Sequence, residues 1–255
     1  MIDLSNKTIL VTGASKGIGA AIVQNLSKAK ANIIAQYCSD KTGMDEVISS
    51  CGDANIVTYQ ADFKKVEEVE NLWEKSISWR NGIDVLINNA AIIRFEGGID
   101  DSDHIWKETW EDTLAVNLMA PCNFMRKAVP HYQKKGGGII ITLSSWVAHR
   151  GPGIPSMIAY SASKSAVMNA TKTIARHYAK ENILAYTVAP GVVRTRMSEE
   201  FARSTNGEDA ITQSLAMKEW IPPSDLANLV SFLASGSCRH LTGATLDVNG
   251  ASYLR

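Results

Sequence analysis

Tyr160 and Lys164, four residues apart in Tyr160-Ser161-Ala162-Ser163-Lys164, are the pair in this chain best suited to moving a proton. The segment runs on through Ala166, Val167, Ala170, Ile174 and Tyr178 as a helix, and positions i and i+4 of a helix share a face. A free phenol ionises near pH ~10, too high for efficient acid–base work at neutrality. One positive charge at ~4 Å in an effective dielectric of ~20 contributes about 4 kcal/mol, which draws the phenol toward neutrality before desolvation subtracts its share. Upstream, an apolar run over 139–143 delivers Ser144-Ser145 at its end. A hydroxyl there can hydrogen-bond a carbonyl oxygen and hold it beside the phenol. Ser144 reads as the exposed loop serine and Ser145 as the working one. Neither sits in G-x-S-x-G, so a serine hydrolase is rejected.

The second chemical feature is Thr12-Gly13-Ala14-Ser15-Lys16-Gly17-Ile18-Gly19, followed by a helix carrying Ala20, Ala21, Ile22 and Leu26. A glycine-rich turn opening a helix points free backbone N–H groups and the positive dipole end at a phosphate. Its spacing is G-x-x-x-G-x-G, not the general dinucleotide G-x-G-x-x-G, so its weight comes from its place after a first strand.

The elements that must position these residues alternate. Candidate strands fall at 8–11, 32–37, 56–59, 85–87, 138–143, 184–188 and 244–248, several of them apolar at successive positions, as strands covered on both faces are. Helical spacing appears between them, in Val66, Val69, Leu72, Trp73 and Ile77, and in Leu226, Leu229, Val230 and Leu233. Strand–helix alternation requires a mostly parallel sheet, whose ligands bind beyond the strands' carboxyl ends. The motifs sit just after strands.

Taken together, these motifs resemble a short-chain dehydrogenase/reductase of the compact, single-domain type, over nearly the whole chain. Thr12 to Gly19 matches that family's T-G-x-x-x-G-x-G, and Asn88-Asn89-Ala90-Ala91 its N-N-A-G with Ala91 for Gly. Val116-Asn117-Leu118-Met119-Ala120 holds its active-site Asn, Ser145 is its serine, Tyr160 and Lys164 its Y-x-x-x-K, and Pro190-Gly191 its P-G turn. The resemblance implies an α/β fold, a Rossmann-type doubly wound, seven-stranded parallel sheet flanked by helices, over residues 1–255. It implies hydride transfer with a nicotinamide dinucleotide, interconverting a carbonyl and a secondary alcohol. Tyr160 is then the general acid or base, Lys164 lowers its pKa and holds the nicotinamide ribose, and Ser145 orients the substrate oxygen. Asn117 holds, through its backbone carbonyl, a water linking Lys164 to solvent. Gly13, Ser15, Lys16, Gly17, Ile18 and Gly19 take the phosphates, Asp62 and Phe63 the adenine, and Asn89, Ala90 and Ala91 the adenosine ribose. Pro190, Gly191, Val193 and Thr195 take the nicotinamide, and residues 195–222 form a substrate lid. The segment 92–110, long and acidic, and that lid are the parts the scaffold constrains least. Overall the chain is similar to 3-oxoacyl-carrier-protein reductases and to sugar or polyol dehydrogenases, and it does not choose between them.

Cofactor choice is decided after the second strand, at Tyr37-Cys38-Ser39. An acid there would bond a ribose 2′-hydroxyl and repel a 2′-phosphate, and Tyr37 stands in its place. Lys16 resembles the basic residue with which NADP-dependent relatives meet the phosphate, and Ser39 adds a hydroxyl. Cys38 replaces the arginine of relatives with a similar segment, and Asp40 subtracts a little. The balance predicts NADP(H) over NAD(H), modestly. Small residues on the Tyr160 helix (Ala162, Ala166, Ala170, Ala175) and a C-terminal segment like the family's interface predict a homotetramer. The rival readings are a catalytically silent dinucleotide sensor and a lyase, dehalogenase or epimerase on the same scaffold. Intact Asn117, Ser145, Tyr160 and Lys164 argue against the sensor, and complete cofactor and tetrad motifs against the dehalogenase type.

The bulk properties agree. With 26 basic and 26 acidic residues, no net field draws the chain to nucleic acid or an anionic membrane. No apolar run reaches the ~18 residues that span a bilayer, and no signal-peptide pattern opens the chain, so a cytoplasmic protein is expected. Cys38, Cys51, Cys122 and Cys238 are scattered, with no C-x-x-C or H-E-x-x-H, which predicts reduced thiols and no metal site.

Overall fold

The computed structural model describes residues 2–205 and 207–255. Seven parallel strands form one sheet: β1 (Thr8–Val11), β2 (Asn32–Tyr37), β3 (Ile56–Gln60), β4 (Val85–Asn88), β5 (Gly138–Leu143), β6 (Ile183–Pro190) and β7 (Thr245–Val248). Their order is β3-β2-β1-β4-β5-β6-β7, so the chain reverses direction across the sheet between β1 and β4, where such folds bind ligands. The strand positions follow the sequence reading. β3, β4 and β6 run further than read, β6 taking in Ile183, Ala189 and Pro190, and β7 starts one residue later.

Successive apolar residues in the central strands serve both faces. Ile9 and Val11, Ile33 and Ala35, Val85 and Ile87, Ile139 and Ile141 point into one core. Helices α1 (Gly17–Lys28), α2 (Lys41–Ser50) and α10 (Pro223–Ser235) cover it with Ile22, Val23, Leu26, Met44, Val47, Leu226, Val230 and Leu233. Leu10, Ile34, Leu86 and Ile140 point the other way, onto α3 (Val66–Ser78), α5 (Ala120–Lys135) and α7 (Ile158–Tyr178). Each such side chain, fully buried, contributes roughly 1.5–3 kcal/mol. Val66 departs from the predicted stripe: in the first turn of α3 it is 57 % exposed. The remaining helices are α4 (Asp103–Leu114), the short α6 (Val147–Arg150), α8 (Arg196–Ser204) and α9 (Gly207–Ser214).

The acidic segment 92–110 is partly ordered as α4, which Ser102 caps by accepting from the Ile105 N–H. The predicted lid, 195–222, folds as α8 and α9 over a small cluster of Ala202, Leu215 and Trp220; its Asn206 lies outside the described residues. All four cysteines are free thiols. Among the described residues no helix is long and apolar enough to cross a membrane.

Candidate active site

A cleft of about 700 Å³ runs along the carboxyl ends of the strands. At one end lies the glycine loop. Thr12 turns off β1 and its Oγ1 accepts from the Asn89 and Ala90 N–H groups, both at 3.0 Å. Asn89 answers by donating Nδ2 to the Thr12 and Gly13 carbonyls, at 2.8 and 3.1 Å. Gln36 Oε1 accepts from the Gly13 N–H at 2.7 Å while its Nε2 donates to the Ala61 carbonyl. So pinned, the loop leaves no room for a side chain at Gly19: a Cβ there would stand 2.0 Å from the Gly13 carbonyl oxygen. Gly17 (φ +55°) opens α1 after Lys16, with no side-chain cap and no acid in the first turn. The first N–H groups of α1 thus have no partner within the helix, and they line the cleft beside Ser15 and Lys16. Unpaired amides, a helix dipole and a cation form a donor set that suits a dinucleotide's phosphates. The cleft's volume is that of a cofactor site.

Beyond the loop, Cys38, Ser39, Asp62, Phe63, Asn89, Ala90 and Ala91 line the walls as read from the sequence. Tyr37 does not. It lies on the same face of β2 as Ile33 and Ala35 and packs against their core. The wall at this point is instead Gln36, on the opposite face, and Asp40. Asp40 caps α2, its Oδ1 accepting from the Gly43 N–H at 3.0 Å. Tyr37 therefore does not stand where an acid would select the cofactor; the acids in this part of the wall are Asp40 and Asp62.

At the other end, α7 presents Tyr160 and Lys164. Lys164 is buried, 4 % exposed, and its Nζ donates to the Leu143 carbonyl at 2.8 Å and lies 5.8 Å from the Tyr160 ring centroid. Ser144, expected in an exposed loop, is buried and donates Oγ to the Lys164 carbonyl at 2.8 Å, tying β5 to α7. Ser145 accepts from the Val147 N–H and hydrogen-bonds the Tyr160 phenol. Burial pushes that phenol up to about 12, with Ser145 drawing it back only in part. Burial pulls the Lys164 ammonium down to about 8. The expectation that Lys164 brings the phenol toward neutrality is thus reversed in the protein's own groups. Desolvation outweighs the Ser145 hydrogen bond, and the ammonium is engaged with a carbonyl rather than with the phenol. Tyr160 keeps part of its surface open to the cleft.

Asn117 stands behind the cleft, not in its lining. It sits in a π-turn, Ala115–Met119, between α4 and α5, where the Ala120 N–H reaches back to the Ala115 carbonyl. Its side chain brackets Ile92, accepting from the N–H at 2.8 Å and donating to the carbonyl at 2.9 Å, and also donates to Ser163 Oγ. Pro190, Gly191, Val193 and Thr195 close the far wall. Thr195 caps α8, whose Arg196, Met197 and Ser198 also line the cleft. Phe201 on α8 stacks on Phe95 from the loop after β4, with centroids 5.5 Å apart.

Sequence reading missed three groups. Gln36 looked like an ordinary strand residue. Arg94 and Asp112, both in the cleft wall, form an ion pair that also draws in Lys64, Glu96 and Glu108. A period-two reading of β2, which sets Gln36 and Tyr37 on opposite faces, is the one signal that would have found any of them.

A family model described as enoyl-(acyl carrier protein) reductase matches residues 13–251. Human dehydrogenase/reductase SDR family member 4 is 32 % identical over 253 residues, covering 99 % of this chain and 89 % of the relative. The 3-oxoacyl-[acyl-carrier-protein] reductase FabG of Staphylococcus epidermidis is 33 % identical over 252 residues, covering 98 % of this chain and all of its own. Among solved structures, a short chain dehydrogenase from Burkholderia cenocepacia in complex with NADP superposes with a TM-score of 0.86 at 29 % identity, over 96 % of this chain and 97 % of the other.

Proposed function

Because this chain belongs to the short-chain dehydrogenase/reductase family of oxidoreductases, we propose that it interconverts a carbonyl and a secondary alcohol with NADP(H), accepting NAD(H) less well. The observation that carries this reading is the convergence of the Ser145 hydroxyl and the Tyr160 phenol on one wall of the cleft, above a buried lysine. Two hydroxyls in contact give a carbonyl oxygen two donors, and Ser145 fixes that oxygen while Tyr160 supplies the proton. A phenol held up to about 12 keeps its proton at neutral pH, so it stands ready as an acid for reduction. Lys164, still mostly protonated at pH 7, stabilises the phenolate left behind. When bound, the dinucleotide supplies the hydride. The α1 amides with Lys16 would hold its phosphates, Asp62 and Phe63 its adenine, and Val193 and Thr195 its nicotinamide. The NADP complex of the Burkholderia relative supports the choice of dinucleotide.

Tyr160→Phe should cost about 10²- to 10⁴-fold in kcat on a good ketone while leaving dinucleotide affinity within about twofold. A variant that keeps most of its kcat would remove Tyr160 from the chemistry.

The assembly we propose is a homotetramer of two-fold symmetry in the cytoplasm. Ala170 and Ala175 pack on this chain's own core, which leaves Ala162 and Ala166, both half-buried, as the small residues free for a neighbour. Light scattering at micromolar concentration should give about four chain masses, and a monomer would end the idea.

A further inference from the structure

The arginine that Cys38 replaces has a candidate substitute on the opposite side of the cleft. We propose that Arg196, at the first turn of α8, is a cofactor-specificity residue that reaches across to the 2′-phosphate of NADP(H). This rests on the NADP(H) reading above.

Arg196 lines the cleft in company with Lys16, Ser39 and Asp40, the residues around the end of β2 where a 2′-phosphate would lie. The segment that carries it is pressed onto the glycine loop: the Thr195 methyl stands 3.1 Å from where a Cβ on Gly17 would be. Charges on the two walls act on each other. Arg196 answers first to Glu200, on its own helix, and then to the Asp40 carboxylate. Glu200 answers first to Arg196 and, further down, to Lys16. The side chain is free to move, at 75 % exposure, and only its Nε is engaged, with Glu200 Oε1 at 2.7 Å. An exposed i,i+4 pair of this kind holds its partners weakly, whereas a phosphate offers a guanidinium two parallel charge-assisted bonds. Asp40, fixed at the α2 cap, is the acid that follows Ser39 in this wall, and Arg196 is placed to offset it. The lid would then carry part of the cofactor's recognition, and NADP(H) would draw α8 toward the glycine loop more strongly than NAD(H).

Titration of NADPH and NADH, followed by energy transfer from tryptophan to the nicotinamide, tests this on the whole protein. Arg196→Ala should weaken NADPH about tenfold and NADH less than twofold, as expected for one charge-assisted contact. Arg196→Lys should recover part of the loss, and Glu200→Gln, which releases the guanidinium, should tighten NADPH about two- to threefold. If the NADPH-to-NADH affinity ratio of Arg196→Ala equals that of the wild type, the inference falls. That holds whether both affinities stand or both drop, the latter marking a pyrophosphate contact. The underlying reading fails on a different measurement, a wild-type protein that itself binds NADH more tightly.

Discussion

The two ends of the cleft solve opposite problems. At the glycine loop the groups that face the cleft are mostly backbone N–H, and the polar side chains nearby are consumed in holding that backbone still: Thr12, Asn89 and Gln36 each bond main-chain atoms of the loop or of its neighbours. At α7 the roles invert. Side chains carry the chemistry we propose, and main-chain carbonyls hold them, the Leu143 carbonyl taking Lys164 and the Lys164 carbonyl taking Ser144. Backbone positioned by side chains tolerates no added volume; side chains positioned by backbone tolerate no change of charge. Each end should therefore fail to a different kind of substitution.

The largest effect is expected from volume at the first end. Gly19→Ala sets a methyl 2.0 Å from a backbone oxygen that is itself held by Asn89, so the loop must move. Overpacking of this severity costs about 3 kcal/mol or more, and dinucleotide affinity should drop more than about 100-fold with a lower Tm. Gly17→Ala should be milder, since its left-handed φ of +55° costs about 1–2 kcal/mol and its contact is a movable methyl. Equal losses in the two variants, measured by titration and calorimetry, would mean that the loop is not rigid and the contrast is wrong.

Charge at the second end comes next. Burial lowers Lys164 to about 8, so its positive form is complete below that pH and is lost above it. In the proposed mechanism carbonyl reduction needs a protonated phenol, which persists far above neutrality, together with the ammonium. Its kcat/KM should be level near pH 7 and fall above about 8. Alcohol oxidation needs the phenolate and should climb with pH until the same ammonium discharges, then bend. Lys164→Arg, whose charge persists beyond pH ~12, should remove the break from both profiles. An oxidation profile of the wild type that climbs unbroken from pH 7 to 10 would show that Lys164 does not govern it.

The same contrast explains what could be read in the sequence. The Tyr160–Lys164 pair is legible because a helix sets i and i+4 on one face whatever surrounds it, and the central strands because burial on both sides makes them apolar throughout. What escaped depends on distant partners. Gln36 matters only because Gly13 and Ala61 come to it from other elements. The π-turn at Asn117 adds one residue to a helix that reads as ordinary, and Arg94 meets Asp112 only once α4 is docked. The direction of the pKa shift on Tyr160 was misjudged because spacing gives the neighbouring charge and not the depth of burial. Tyr37 is a different case: its face follows from the period of β2, and position after the strand was the wrong guide.

The smallest effect concerns Lys16, and it decides whether the loop end discriminates or merely binds. Lys16 precedes α1 in extended conformation, lines the cleft and shares that stretch of wall with Ser39 and Asp40. With Tyr37 turned into the core, no side chain at that position selects against a 2′-phosphate, and Asp40, next after Ser39, is a carboxylate of this wall that would repel one. Asp40 already gives one carboxylate oxygen to the Gly43 N–H, at the start of α2 where the dipole favours negative charge, so its repulsion is blunted. On the NADP(H) reading we propose, Lys16 tips the balance, but only by the amount a solvated ammonium contributes in high dielectric, about 1 kcal/mol. Wild-type kcat/KM should be higher with NADPH than with NADH. Lys16→Ala should lower the NADPH value about fivefold and leave the NADH value nearly unchanged. A wild-type value higher with NADH overturns the preference itself. An equal loss with both cofactors leaves the preference standing but makes Lys16 a general phosphate contact, and the loop end would then bind without choosing.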